Sequence, residues 1–205
     1  MYKKLMLACM AIAAFAAFVV APMASAAESP TLTSAGVSVP VGTSITATNT
    51  GVTKFTGAFN VECDHDHLAG TVTKNSKGEV EGEIPVGSAK FNGTATGTDC
   101  TSALGPVKVT VTSKLCLKTA AGDTMLTTGC GSNVAFTLEI TGTGPCKYGT
   151  ASVSGTFATN VEGATTTVSE QEAKKTEGGF FCPSSGKLDL VFDLFTTSGT
   201  KLVIS

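Results

Sequence analysis

Leu188-Asp189-Leu190-Val191-Phe192-Asp193-Leu194-Phe195 is the stretch whose reading decides the fold. Leu188, Leu190, Phe192 and Leu194 alternate with Asp189, Val191, Asp193 and Phe195, and a period of two sends the first set to one face of a strand. The same rhythm recurs at Val107, Val109 and Val111 against Lys108, Thr110 and Thr112, and at Phe136, Leu138 and Ile140 against Thr137, Glu139 and Thr141. Further strand-like runs lie near 39–48, 52–62, 68–74, 79–84, 89–96, 114–118, 148–158, 164–169 and 200–205. Turn clusters such as Asn75-Ser76-Lys77-Gly78 and Thr197-Ser198-Gly199 separate them. Disorder competes with this reading in so Thr- and Gly-rich a chain, and the alternation argues against it. Ser169-Glu170-Gln171-Glu172-Ala173-Lys174-Lys175 is the one helix candidate, but it is short, polar and without an apolar stripe, so it reads as strand plus turn. The expected class is all-β: an antiparallel β-sandwich braced by disulfides.

Outward from that core, six cysteines follow the N-terminal region: Cys63, Cys100, Cys116, Cys130, Cys146 and Cys182. Their separations of 37, 16, 14, 16 and 36 residues are nearly mirror-symmetric. A weak repeat accompanies them, with Cys63 matching Cys146 and Cys100 matching Cys182 across the segments 53–112 and 137–196. Gly70-Thr71-Val72-Thr73 then corresponds to Gly155-Thr156-Phe157-Ala158. Chance similarity within a low-complexity β sequence is the competing explanation. Under the repeat, Cys63 pairs with Cys100 and Cys146 with Cys182, while Cys116 and Cys130 clip the connection between the halves. Six cysteines allow fifteen pairings, and this is one of them.

Residues 1–26 read as a secretory signal. Lys3 and Lys4 supply the positive end, Leu5–Val20 an uncharged apolar run, and Ala24-Ser25-Ala26 a cleavage site. An uncleaved anchor is the rival, disfavoured because 16 residues are short for a bilayer core of about 30 Å. Cys9 precedes most of the apolar run, which is the wrong side for a lipid-modified cysteine. The expected mature chain, residues 27–205, is a secreted β-sandwich domain with no later apolar segment long enough to span a membrane. Its expected place is extracellular or at the cell envelope, where paired thiols persist.

All fourteen basic residues are lysines, and twelve remain after the signal against sixteen acids, a net charge of −4. Arginine and tryptophan are absent. Without arginine or a basic footprint, nucleic-acid binding is excluded as an expectation.

Ala47-Thr48-Asn49-Thr50-Gly51-Val52-Thr53-Lys54-Phe55, Val61-Glu62-Cys63, Leu68-Ala69-Gly70-Thr71-Val72-Thr73-Lys74-Asn75, Cys116-Leu117, and the C-terminal Gly179-Phe180-Phe181-Cys182-Pro183-Ser184-Ser185-Gly186-Lys187-Leu188-Asp189 and Val203-Ile204-Ser205 carry a resemblance. The chain is similar to a family of uncharacterised secreted β-rich proteins of soil actinobacteria, over nearly all of the expected mature region. The resemblance implies export and a disulfide-bonded β fold, and no activity, ligand or catalytic residue. The His-rich segment after Cys63 departs from the family's pattern.

That segment, Cys63-Asp64-His65-Asp66-His67, holds both histidines. On a strand His65 and His67 would share a face, as a two-histidine metal site needs, with Asp64 and Asp66 opposite; in a turn all four would converge. These four are the weak metal candidates, set against an ordinary polar turn joining two strands. Glu79, Glu81 and Glu83 alternate with Val80, Gly82 and Ile84, and read as a solvated face or a charged edge strand. No G-x-S-x-G is present, and an even cysteine count leaves no thiol for a Cys–His nucleophile. Asn92-Gly93-Thr94 fits a glycosylation sequon, whose use a bacterial-type signal argues against.

No catalytic residue and no cofactor is assigned. The expectation is a secreted, non-catalytic protein with a structural, adhesive or binding role toward an extracellular or envelope partner. The alternative is a small secreted hydrolase, or an enzyme inhibitor presenting Gly122-Asp123-Thr124-Met125-Leu126 between Cys116 and Cys130.

Overall fold

The computed structural model describes residues 30–205, apart from 95, 98, 121 and 122, so the expected signal segment lies outside the described residues. Eighteen strands are described. The first nine are β1 (Leu32–Ser34), β2 (Val37–Ser38), β3 (Ser44–Asn49), β4 (Thr53–Thr56), β5 (Val61–Cys63), β6 (His67–Ser76), β7 (Glu79–Ile84), β8 (Ala89–Phe91) and β9 (Thr101–Ser102). The others are β10 (Val107–Val111), β11 (Leu115–Ala120), β12 (Thr124–Thr128), β13 (Val134–Ile140), β14 (Gly144–Thr150), β15 (Ser152–Phe157), β16 (Thr166–Glu177), β17 (Ser185–Thr196) and β18 (Leu202–Ile204). The fold is all-β and antiparallel, a disulfide-stabilised sandwich, as the alternation predicts.

Strand pairing runs continuously round the molecule. β3, β6, β7, β11, β12, β15, β16 and β17 form a closed circuit, because β7 also pairs with β6, β16 with β17, and β17 with β3. Closure removes the free edges that an open sheet would expose. Three of these strands, β6, β16 and β17, are long enough to change partners along their length. β16 begins beside β15 (Thr156 opposite Thr167) and ends beside β14 (Tyr148 opposite Lys175). A register shift between Val168 and Gln171 makes the change possible, and Glu170 sits there at φ 50°. This accounts for the helix candidate: its polar residues mark the irregular middle of a single strand.

The circuit contains two series of the same form, β3–β6–β7 and β12–β15–β16. Ile45 lies opposite Gly70 in the first, and Met125 opposite Gly155 in the second. Both glycines are required by close approach. A Cβ on Gly70 would stand 2.6 Å from the Glu83 carbonyl oxygen and 3.1 Å from Ile84, and one on Gly155 2.6 Å from the Thr167 carbonyl oxygen and 2.9 Å from Val168. Strands outside these two series also pair across the molecule: β10 with β13 (Val111 opposite Phe136), and β17 with β4 (Leu188 opposite Phe55).

Three disulfides join Cys63 to Cys100, Cys116 to Cys130 and Cys146 to Cys182, the pairing that the repeat implies. Loops of 37, 14 and 36 residues are worth roughly 3 to 4 kcal/mol each in the chain-entropy model. In the main core, Phe55, Phe136 and Tyr148 meet with ring centroids 4.9–5.8 Å apart. Tyr148 is fully buried, its hydroxyl donates to the Pro183 carbonyl at 3.1 Å, and burial pushes its pKa up to about 12. A second cluster forms where the small sheet β18–β1–β2 covers the circuit. There Leu32, Leu202 and Ile204 pack with Val72 and Phe157, against Ile45, Val80, Met125 and Leu194. Among the described residues no helix is long and apolar enough to cross a membrane.

Candidate functional site

The inward faces of the strands do not fill the space they enclose. Between the two clusters lies an interior cavity of about 200 Å³, walled by side chains such as Phe55, Phe136, Leu138, Val153, Leu190 and Phe192. Its wall includes a few threonines. Thr119 Oγ1 accepts the Val80 N–H at 3.0 Å, and Thr166 Oγ1 donates to the Ala164 carbonyl at 3.2 Å. Thr53 differs: it borders the cavity and is 5% exposed, but its hydroxyl oxygen is shut off from the cavity and from water and has no hydrogen-bond partner.

Behind Thr53 lies the Asp-His segment. Asp64 and His65 form a bend, Asp66 follows, and His67 opens β6. The bend joins β5 to β6, which pair with other strands and not with each other, so it is a crossing and no hairpin. Two asparagines hold it in place. The Asp64 and His65 N–H groups both donate to the Asn92 carbonyl at 2.9 Å, and Asp66 N–H donates to Asn49 Oδ1 at 2.8 Å. Asn92 N–H in turn donates to Asp66 Oδ1 at 3.1 Å.

This geometry divides the four metal candidates. Asp64, His65 and His67 are exposed, while Asp66 is 2% exposed and turned inward. Convergence of all four does not occur: among the described residues, no three of their donor atoms gather within 4.8 Å. One such group of donors does exist, Glu83 with Cys116 and Cys130, but both its sulfurs are spent on a disulfide. Asp66 Oδ2 is buried without a partner. Loss of hydration raises the Asp66 pKa to about 6, against the opposing pull of the nearby Thr53 hydroxyl and the Asn92 N–H. Thr53 is thus near enough to favour the Asp66 anion, yet out of hydrogen-bonding geometry. A second buried carboxylate, Asp193, is fully engaged: Thr165 Oγ1 donates to it at 2.6 Å and Lys201 Nζ stands 3.6 Å away.

The glutamate row is a solvated face, with Glu79 paired to Lys74 and Glu83 to Lys114. It is not on an edge, because β7 lies between β6 and β11. The segment considered for an inhibitor loop is largely strand. Gly122 lies outside the described residues, Asp123 is a turn at φ 44°, and Thr124–Leu126 belong to β12, bonded to β11 and β15. Met125 there packs into the second cluster. Phe180 and Phe181, 96% and 72% exposed, stand edge to face beside Cys182.

Sequence reasoning singled out Asp66 together with its neighbours and passed over Thr53. Nothing in the sequence distinguishes Thr53 from the other threonines of a threonine-rich chain. No family model, curated protein or solved structure matches the chain.

Proposed function

We propose that this chain is a non-catalytic extracellular binding protein that holds a small apolar molecule inside its sandwich. The cavity carries this reading. Empty apolar space costs about 24 cal/mol per Å³, so about 200 Å³ left vacant forgoes roughly 5 kcal/mol. That is a large part of the net stability of an ordinary domain. Three cross-links supply the stability that would let a chain keep such a space for a guest. An apolar cavity of about 150 Å³ stays dry and takes benzene, so this one suits a molecule of that size or somewhat larger. Location outside the cell rests on the signal-like N-terminus, and the three disulfides are consistent with it.

Methylcyclohexane added to the disulfide-intact protein tests the reading. Saturable amide shifts in the ¹H–¹⁵N spectrum at Phe136, Val153 and Leu190 are the expected result. No saturable shift up to the solubility limit would refute it.

A further inference from the structure

Four loops gather at one end of the sandwich: 57–60 between β4 and β5, 103–106 between β9 and β10, 141–143 between β13 and β14, and 178–184 between β16 and β17. Strand pairing makes them a ring. Thr56 lies opposite Lys187, Val61 opposite Ser102, Val107 opposite Ile140 and Lys147 opposite Glu177, so each loop adjoins the next. None of the residues in these four loops carries a charge. Phe180, Phe181 and Leu104 project from the ring, 96%, 72% and 56% exposed. The two phenyl rings meet edge to face at 5.9 Å, and the Cys146–Cys182 disulfide ties down the chain directly behind them, which holds them out at the tip. Contiguous apolar groups kept in water mark a contact surface.

The strands behind the loops carry charge, and that charge is matched. Lys54 pairs with Glu62 at 3.1 Å, Lys147 with Glu177 at 2.6 Å and Lys108 with Glu139 at 3.8 Å, each within two residues of a loop. The Lys175 ammonium turns back to donate to the Cys182 carbonyl at 3.0 Å. The loops also bond within themselves: the Gly105, Thr143 and Cys182 N–H groups donate to the carbonyls of Ser102, Ile140 and Gly179, each at 3.1 Å. Turns closed in this way lose less when water is withdrawn from them.

We propose that this end of the sandwich seats on a lipid bilayer, with Phe180, Phe181 and Leu104 entering the boundary of the acyl chains and the ion pairs remaining among the headgroups. An uncharged apolar tip backed by a charge-matched collar follows the polarity profile of a bilayer interface from inside to outside. A protein partner would need a fitted pocket for two rings that project almost bare, whereas lipid closes round any shape. Recognition between proteins also draws on unmatched charge to fix orientation, and the collar leaves little. The proposal is independent of the interior cavity.

Cosedimentation of the disulfide-intact chain with phosphatidylcholine vesicles tests it. The chain is expected to pellet with lipid, and the double variant Phe180→Ser, Phe181→Ser to bind at least about tenfold more weakly, the worth of one phenyl ring returned to water. Leu104→Ser should weaken binding in the same direction. Val86→Ser, an equally exposed site at the opposite end of β8, should leave it unchanged. Raising the salt to 1 M should alter binding by less than about threefold, because paired charges contribute little. In Phe181→Trp, the single tryptophan of the chain should shift its emission to the blue on vesicles and be quenched by brominated lipid. No pelleting at millimolar lipid, binding that survives the double serine variant, or binding lost in salt overturns the proposal. So does a dimer of the wild-type chain in analytical ultracentrifugation that the double variant dissolves, since the tip would then serve a second copy.

Discussion

Gly186→Ala is the substitution whose effect the core geometry specifies most sharply. Gly186 is buried on β17 against the face of Phe55. A methyl group there would meet three atoms of that ring, two of them at 2.5 and 2.7 Å, where ordinary contact begins near 3.4 Å. The ring must therefore retreat by about 1 Å. Phe55 has little room to do so, since its centroid is 4.9 Å from Tyr148 and 5.8 Å from Phe136. Overpacking of this kind costs about 1–3 kcal/mol, and disturbing two aromatic contacts about 0.5–1.5 kcal/mol each. A total of roughly 4 kcal/mol would lower Tm by about 8–16 °C in a chain of this length. Thermal unfolding followed by circular dichroism, with disulfides intact, measures it. Phe55→Leu supplies the decisive control: with the ring removed the added methyl has space, so the double variant should be less destabilised than the sum of the two singles by at least about 1 kcal/mol. A loss under about 1 kcal/mol for Gly186→Ala, or strict additivity with Phe55→Leu, would refute the reasoning.

Asp66→Asn tests the buried acid through pH. The folded pKa of about 6 lies above the ordinary value of 3.8, so between those two pH values the folded chain holds a proton that the unfolded chain has lost. Stability is therefore greatest below about pH 4 as far as this group is concerned, and falls as pH rises through 6, by on the order of 3 kcal/mol. Asp66→Asn should remove that fall, and urea titrations at pH 4 and pH 7.5 showing the same pH dependence in both proteins would contradict it. Gly70→Ala and Gly155→Ala should each destabilise by roughly 2–3 kcal/mol, because both methyl groups would meet a partner-strand carbonyl at 2.6 Å. Chemical denaturation showing one of them neutral would mean that the two places are not equivalent.

Much of the sheet was legible because one-sided burial leaves a period-two trace. Val107–Val111, Val134–Ile140 and Ser185–Thr196 all carry it, and Glu79–Ile84 matches its expected bounds. Other strands leave too weak a trace. Leu32–Ser34 and Thr101–Ser102 are too short to show a period, and Thr124–Thr128 reads as a loop in sequence because its neighbours suggest a turn. The disulfide pairing was readable from the offset between Cys63 and Cys146, a relation along the chain that the fold preserves. The site was far less legible. An unfilled interior depends on how side chains from many strands meet across the sandwich, and no local pattern records that. Asp66 stands out through its histidine neighbours, yet its burial is set by Asn49 on β3 and Asn92 just after β8, both remote in sequence.

The pairing of early strands with late ones has a consequence for how the chain comes apart. With β10 lying against β13 and β17 against β4, removing either half strips the other of a neighbour its backbone groups depend on. Melting of β4 and β10 would leave backbone groups of β17 and β13 without partners, which favours loss of all of them in one step.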